Sequence, residues 1–305
     1  MAGELMAAEM DEQPAVLAAL VASRAETVKR LRRSISEAPT GIALVARGSS
    51  DNAAIFGRYV LEPAARRPVS LVAPSLLTLY RARTDYRGYL AVAISQSGET
   101  PEIVGVLTAL QDRGAVGLAI TNRPDSPLGE RADLVVELRA GEERAVPATK
   151  TFTAQLACFG FLAEALGEVP WRPEDWERLP EAVRAVLDDP DPAREAARSM
   201  VGASGMICVG RGFLYAVALE AALKVKETTS IPAHGYSAAD LRHGPIAVVE
   251  QAFPVLALLA DGPTRADMED LVATLRERGA YLVLAGEVEE AHLSVPGGPS
   301  EPLIA

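Results

Sequence analysis

Ala91-Val92-Ala93-Ile94-Ser95-Gln96-Ser97-Gly98-Glu99-Thr100-Pro101 joins an apolar strand to a hydroxyl-rich turn and to the start of a helix. The apolar residues are typical of a strand buried on both faces, and Pro101 suits the first position of a helix. Ser95, Ser97 and Thr100 supply hydroxyl donors, and a helix start adds unpaired N–H groups and the positive end of its dipole. The segment therefore predicts either an anion site at a strand end or an ordinary polar turn in which Thr100 caps the helix.

Strand-like and helical segments alternate on both sides of this stretch, which is the pattern of a parallel sheet covered by helices. The predicted strands of the first half are 42–46, 69–72, 90–94, 116–120 and 134–136. Those of the second half are 205–209, 246–249, 255–259 and 280–285, with a long helix over 214–228. The predicted fold class is α/β, with two tandem doubly wound parallel-sheet domains of the flavodoxin-like kind.

The two halves share a local signature after their first strands. Ala46-Arg47-Gly48-Ser49-Ser50 and Gly210-Arg211-Gly212-Phe213-Leu214 each open a helix, which favours a duplicated unit. Only the first copy places hydroxyls after its glycine, so the first copy is the better anion site. The predicted domains are residues 1–165 with a leading helix, an acidic, proline-punctuated helical linker over 166–199, and residues 200–305.

Composition excludes several classes of function. A chain of 305 residues is long enough for about two domains, and its net charge of −11 has the wrong sign for binding nucleic acid or anionic lipid. No apolar run approaches the ~18 residues of a spanning helix, and the N-terminus carries no signal sequence, so we expect a cytoplasmic protein.

Cys158 and Cys208 lie in apolar surroundings and are expected to be reduced thiols. With three histidines and no metal-ligand spacing, no metal site is expected.

Two further polar loops add to the candidate anion site. Gly48-Ser49-Ser50-Asp51-Asn52 follows another predicted strand, and ligands of open α/β sheets bind at the carboxyl ends of strands. Ala148-Thr149-Lys150-Thr151-Phe152-Thr153 adds a cation and more hydroxyls. The alternative for this last segment is a helix start with a solvated Lys150.

Glu220, Lys224 and Glu227 lie on one face of the long helix of the second half, within about 60° of arc. Small apolar neighbours such as Ala221 and Ala222 indicate that much of this helix is buried. A carboxylate, an ammonium and a second carboxylate on a buried helix favour acid–base chemistry. The alternative is an exposed ion pair with an acid beside it, which is common on solvated faces.

Among the histidines, only His243 is a candidate for chemistry. It lies in a turn closed by Gly244 and Pro245, and an unperturbed imidazole titrates near neutral pH. The alternative is a structural or solvated histidine. No role is assigned to His234 or His292.

These residues together resemble the tandem sugar-isomerase (SIS) domain family over nearly the whole chain. The resemblance extends to the isomerase half of glutamine–fructose-6-phosphate aminotransferase and, more closely, to the SIS-type glucosamine-6-phosphate deaminases. The stretches that carry it are Glu9-Met10-Asp11-Glu12-Gln13-Pro14, 46–51, 95–98, 148–150, Glu220-Ala221-Ala222-Leu223-Lys224-Val225-Lys226-Glu227-Thr228, and 241–245.

The resemblance implies roles for the candidate residues. It implies that the sugar phosphate is held by Ser50, Ser95, Gln96, Ser97 and Thr100, with weaker substrate contacts from Gly48, Ser49, Ala148, Thr149 and Lys150. It also implies that Glu227 moves a proton between C1 and C2 of the sugar, supported by Lys224 and Glu220. His243 would help to open the sugar ring, reaching the site from the partner subunit of a homodimer.

The sequence departs from the aminotransferase pattern at three places. Position 2 is Ala rather than the nucleophilic Cys of a glutaminase domain, so we expect no glutamine hydrolysis. Ala148 stands where the aminotransferase has Ser, which fits the deaminase branch better. The sequence stops at Glu301-Pro302-Leu303-Ile304-Ala305, before a counterpart of the family's last helix and its Schiff-base lysine, so we expect either that this tail is missing from the sequence or that its role is absent.

The resemblance thus predicts an amino-sugar phosphate deaminase that converts glucosamine 6-phosphate and water to fructose 6-phosphate and ammonia, without a cofactor. The first alternative is an aminotransferase-type or other ketose/aldose phosphosugar isomerase. The second is a non-catalytic sugar-phosphate sensor, which would need the phosphate loops but not Glu227 and His243.

Overall fold

The computed structural model describes residues 2–35, 37–295 and 301–305. The chain divides into two compact units. The first unit consists of Ala15–Arg144 and Ala148–Pro170, and the second of Met1–Pro14, Ala145–Pro147 and Trp171–Ala305. The domain boundaries that the sequence predicts, at residues 165 and 199, stay predictions.

The first unit is built on a parallel sheet. Within the described residues its strands are β1 (Gly41–Val45), β2 (Val69–Leu71), β3 (Tyr89–Ser95), β4 (Val116–Thr121) and β5 (Leu134–Glu137), in the order β2-β1-β3-β4-β5. Every pair is parallel, with Ile42 opposite Leu90 and Leu90 opposite Val116. All of β1 and most of β3 are buried, as expected for a sheet covered on both faces.

Helices cover the two faces of this sheet. They are α2 (Gln13–Ser34), α3 (Ser49–Ala65), α4 (Pro74–Thr78), α5 (Pro101–Gln111), α6 (Pro127–Arg131) and α7 (Lys150–Leu166). Helix α3 packs on α7, while α5 packs on α4 and α6. Gly57 allows the close approach of α3 to α7, because a Cβ there would lie 2.5 Å from the Phe159 ring.

The second unit repeats the same topology. In the described part of the chain its strands are β6 (Met206–Gly210), β7 (Ala233–Ser237), β8 (Pro254–Leu259), β9 (Tyr281–Gly286) and β10 (Leu293–Ser294), in the order β10-β9-β8-β6-β7. Its helices are α1 (Ala2–Asp11), α8 (Pro173–Asp188), α9 (Asp191–Ser199), α10 (Leu214–Thr229), α11 (Ala238–Arg242), α12 (Arg265–Glu277) and α13 (Glu301–Ile304). The predicted fold class, two doubly wound parallel-sheet units in tandem, is confirmed.

The prediction of a strand over 246–249 is wrong. Pro245–Val248 forms a 3₁₀ helix, because Pro245 suits a helical first position and the preceding Gly244 turns the chain with φ of 135°. β6 pairs with β8 on one side and with β7 on the other, and the sequence analysis missed β7. Its Gly235 brings the strand against α10, since a Cβ there would lie 2.7 Å from Leu219 Cα.

The predicted linker region is helical, and it contains α8 and α9. Among the residues that the structure describes, no helix combines the length and the apolar character needed to cross a membrane.

Candidate functional site

Strands β1 and β3 of the first unit are neighbours in the sheet, although β2 lies between them in the sequence. At such a point the helices that follow the two strands cover opposite faces, which opens a crevice at the strand ends where doubly wound proteins bind ligands. Helix α3 begins at Ser49 after β1, and α5 begins at Pro101 after β3. The polar residues 48–50 at the start of α3 and the turn 95–100 therefore share this edge of the sheet.

The loop after β3 is a compact turn organised by its own hydroxyls. Ser95 is buried, and its Oγ accepts a hydrogen bond from Gly98 N at 3.1 Å and lies 3.4 Å from Thr100 Oγ1. Gly98 has φ of 65°, and a Cβ there would lie 1.9 Å from Ser126 Oγ, so the turn requires glycine. Ser97 is exposed, and its Oγ accepts a hydrogen bond from Glu99 N at 3.2 Å. The Ser97 hydroxyl is therefore accessible to a ligand.

The loop after β1 presents a different environment. Gly48 has φ of 62°, and a Cβ there would meet nothing within 4 Å, so space is open beside it. Ser49 is half-buried, whereas Ser50 is buried and its Oγ accepts a hydrogen bond from Gln155 Nε2 at 2.9 Å. Because Gln155 is the donor in this contact, the hydroxyl proton of Ser50 remains able to donate.

The third polar loop leads into α7 and is organised by a residue that the sequence analysis missed. Glu143 Oε1 accepts hydrogen bonds from Thr149 N at 2.8 Å and from Thr149 Oγ1 at 3.0 Å. Thr151 also donates to this carboxylate, through its amide N at 3.3 Å and through its hydroxyl. Lys150 is almost completely buried rather than solvated, and Ala148 is half-buried. No local spacing in the sequence connects Glu143 with this helix start.

The second unit brings Glu220, Lys224 and Glu227 together on one face of α10. Lys224 Nζ lies 3.1 Å from Glu220 Oε1 and 2.7 Å from Glu227 Oε2. The exposed fractions of the side chains are 7% for Glu220, 18% for Lys224 and 27% for Glu227. The row thus runs from a buried carboxylate to a partly exposed one, which is not the solvated surface pair of the alternative interpretation.

His243 is the C-terminal cap of α11 and is exposed. Its backbone N donates to Asp240 O at 3.2 Å, and Ser237 caps the other end of the helix by accepting from Asp240 N at 3.3 Å. His292 has a structural contact, because its Nδ1 accepts a hydrogen bond from Leu284 N at 3.2 Å. His234 lies exposed in β7.

Three of the titratable groups with perturbed pKa values lie in a core or beside the β1/β3 crevice. Burial raises the pKa of Cys158 and of Cys208 to about 12, and both cysteines are free thiols. Burial also raises the pKa of Asp51 at the start of α3, and the charge of Arg47 opposes this shift. Within the described chain, no group of three or more His, Cys, Asp or Glu side chains has the arrangement of a metal site.

The paired doubly wound units and the hydroxyl-lined crevice define a tandem α/β protein with a candidate site at the strand ends. The SIS domain family matches residues 34–165 and 200–285, and the chain belongs to this family. The resemblance to the SIS domain family stated from the sequence is thereby confirmed.

Sequence relatives agree with this assignment. A glutamine–fructose-6-phosphate aminotransferase (isomerizing) from Methanothermobacter thermautotrophicus is 37% identical over 252 residues, which cover 83% of this chain and 42% of that protein. The chain spans about half the length of the curated relatives it matches.

Solved structures show the same fold. A provisionally assigned phosphosugar isomerase from Silicibacter pomeroyi has a TM-score of 0.85 at 32% identity, with 96% of this chain and 89% of that one covered. The C-terminal domain of a glucosamine–fructose-6-phosphate aminotransferase from Francisella tularensis has a TM-score of 0.84 at 25% identity, covering 98% and 91%. The chain is thus similar to the isomerase part of the aminotransferases and to phosphosugar isomerases.

Proposed function

We propose that this protein is a SIS-type phosphosugar enzyme that converts glucosamine 6-phosphate and water to fructose 6-phosphate and ammonia. The observation that carries the proposal is the Glu220–Lys224–Glu227 row, in which one ammonium lies within 3.1 Å of two carboxylates on a half-buried helix. Such a row costs free energy to desolvate and is typical of acid–base sites.

In this proposal the first unit binds the phosphate. The residues assigned to it are Ser50, Ser95, Gln96, Ser97 and Thr100, with Gly48, Ser49, Ala148, Thr149 and Lys150 as weaker substrate contacts. Hydroxyl groups and backbone N–H groups at helix starts donate to phosphate oxygens, and the β1/β3 crevice supplies both. The exposed Ser97 hydroxyl is the most accessible of these donors.

The second unit supplies proton transfer. Glu227 is the base, because its carboxylate is the more exposed of the two and Lys224 fixes its position through the 2.7 Å contact. Glu220 holds Lys224 from the buried side at 3.1 Å. His243 is assigned to ring opening, and its exposed position at the end of α11 is compatible with reaching a site in a partner subunit of a homodimer.

The reaction needs no oxidant. Glu227 removes the C2 proton of the open-chain aldehyde, and the electron pair of that C–H bond forms the C1–C2 double bond of an enolamine while O1 takes a proton. When C1 takes up a proton, the C1–C2 π pair forms the new C1–H bond and the nitrogen lone pair forms the C2–N double bond, which leaves a protonated imine at C2. Water adds to the imine, the C2–N bond breaks, and ammonia leaves with fructose 6-phosphate as the product.

The alternative is an aminotransferase-type or other ketose/aldose isomerase acting on a related sugar phosphate. The similarity to the aminotransferase from Methanothermobacter thermautotrophicus favours it, because an isomerase needs the same phosphate loops and the same carboxylate. The two functions differ in whether ammonia is released.

The test is a product assay on purified protein with glucosamine 6-phosphate. The proposal predicts ammonia and fructose 6-phosphate in equal amounts, and their loss in the folded Glu227→Gln variant. Glu277→Gln is the matched control, because Glu277 is an exposed acid on α12 of the same unit. A sugar product without ammonia would favour the isomerase, and no turnover of any hexose or hexosamine 6-phosphate would reject both functions.

A further inference from the structure

Glu143 is an acidic residue of the first unit that the proposed chemistry does not use. It lies in the loop 139–148 between β5 and α7, and its side chain is directed to the start of the helix. The carboxylate accepts from the amide and hydroxyl groups of Thr149, at 2.8 Å and 3.0 Å, and from the amide and hydroxyl of Thr151. Thr149 is the N-cap residue of α7, but its own side chain makes no capping hydrogen bond. Glu143 caps the helix in its place.

The other end of the same loop is attached to the end of β4. Asn122 follows that strand, and its Oδ1 accepts a hydrogen bond from Ala140 N at 2.9 Å while its Nδ2 donates to Gly141 O. Gln96, from the turn after β3, donates through Nε2 to Glu143 O at 3.5 Å. Hydrogen bonds therefore hold the loop at both of its ends. Near its middle, Glu143 O accepts a hydrogen bond from Gln96, a residue assigned to phosphate binding.

The negative charge of Glu143 has a second consequence. The start of a long helix attracts anions, but the donors at the start of α7 already bind a carboxylate of the chain itself. A substrate phosphate therefore finds its donors in the β1/β3 crevice and not at α7. The loop 139–148 is left to meet the uncharged part of a sugar phosphate.

We propose that Glu143 is a positioning residue for the sugar moiety of the substrate. Its carboxylate ties residues 140–143, which Asn122 and Gln96 hold at the ends of β4 and β3, to the start of α7, so that this part of the loop is already ordered before a sugar phosphate binds. This inference rests on the proposed function. Without the carboxylate, the loop must be ordered by the substrate, and the cost of that ordering appears as weaker binding of the whole sugar phosphate.

The experiment compares Glu143→Ala and Glu143→Gln with Glu142→Gln, which changes the adjacent exposed acid. Dissociation constants are measured for fructose 6-phosphate and for inorganic phosphate by calorimetry. Amide hydrogen exchange at residues 149 and 151 is followed by NMR, with the interior of α7 as the reference for intact folding.

Glu143→Ala is expected to weaken fructose 6-phosphate binding by at least about tenfold, because the substrate must then order the loop on binding. Inorganic phosphate, which needs only the crevice, should change by less than about twofold. Exchange at 149 and 151 should accelerate while the interior of α7 stays protected. Glu143→Gln should lie between Ala and wild type, because its carbonyl oxygen still accepts hydrogen bonds, and Glu142→Gln should match wild type.

A merely structural role for Glu143 would give a different result. Unchanged binding of fructose 6-phosphate by folded Glu143→Ala would overturn the inference, as would a parallel loss of both ligands. If wild-type protein itself fails to bind fructose 6-phosphate, the proposed function fails, and the positioning role falls with it. If wild-type protein and folded Glu143→Ala bind fructose 6-phosphate equally well, the positioning role alone is rejected.

Discussion

Replacing Lys224 with methionine tests whether the row on α10 is a buried network. Lys224 Nζ lies 3.1 Å from Glu220 and 2.7 Å from Glu227. Methionine keeps most of the length of the side chain and removes the ammonium. The Glu220 carboxylate, whose side chain is only 7% exposed, then loses this cation in a place where water compensates poorly.

The exposed fractions of the Lys224 and Glu220 side chains indicate how much Lys224→Met should lower the free energy of unfolding. Breaking a fully buried ion pair costs about 3–5 kcal/mol, whereas an exposed pair is worth about 0–1 kcal/mol. Lys224 is 18% exposed and Glu220 is 7% exposed, so the pair lies near the buried end of this range. We expect Lys224→Met to lower the free energy of unfolding by about 3 kcal/mol. In a double-mutant cycle with Glu220→Gln, the coupling energy should be about 2 kcal/mol.

Urea denaturation followed by tryptophan fluorescence is the assay. The chain has two tryptophans, Trp171 and Trp176, and both belong to the second unit, as α10 does. The signal therefore reports the unit in which the change is made. Lys226→Met is the matched control, since Lys226 is an exposed lysine on the same helix and should cost less than about 0.5 kcal/mol. A loss of stability in Lys224→Met no larger than in Lys226→Met would show that the row is a solvated pair and refute the reasoning.

Three further predictions concern other parts of the molecule. Ser97→Ala should weaken fructose 6-phosphate binding by about ten- to a hundredfold, whereas the control Ser75→Ala in the same unit should leave binding unchanged. Unchanged affinity in Ser97→Ala would reject the assignment of Ser97 to the phosphate. His243→Ala should lose more activity on glucosamine 6-phosphate than on an analogue that cannot cyclise. Mixing it with Glu227→Gln chains should restore activity in heterodimers, and inactive heterodimers would place the histidine in its own subunit's site. Burial raises the pKa of Cys208 from 9.0 to about 12, so the unfolded state releases this proton at a lower pH than the folded state does. The stability that the buried thiol contributes is therefore fully present below about pH 9 and declines as pH rises toward 12. The slope should be about 1.4 kcal/mol per pH unit relative to Cys208→Ala, measured by urea denaturation, and equal slopes would contradict it.

The strands were predictable from sequence wherever burial on both faces gives a continuous apolar run. The predicted strand 42–46 is found at Gly41–Val45, and 116–120 at Val116–Thr121. Strand β7 lacks such a run, because it contains His234 and Gly235 and is stabilised by close packing on α10. The apolar run 246–249 suggested a strand, but the proline before it begins a 3₁₀ helix instead.

The candidate site was predictable only in its parts. Hydroxyls after β1 and β3 and the spacing of Glu220, Lys224 and Glu227 are local patterns that the sequence displays. The crevice depends on strand order, which places β1 beside β3 and β2 at the edge, and no local pattern encodes that order. Glu143 was missed for the same reason, because its contacts with Thr149 and Thr151 depend on how the loop folds back.

The central claim is that a carboxylate on α10 moves a proton of an amino-sugar phosphate, and proton exchange at C2 tests it most directly. Wild-type protein and Glu227→Gln are incubated with glucosamine 6-phosphate in D₂O, and loss of the C2 proton signal is followed by NMR. Glutamine preserves the shape of the side chain but cannot accept the proton, so exchange should occur with wild type and fall by at least about a hundredfold in the variant. Exchange at the wild-type rate in folded Glu227→Gln would contradict the account.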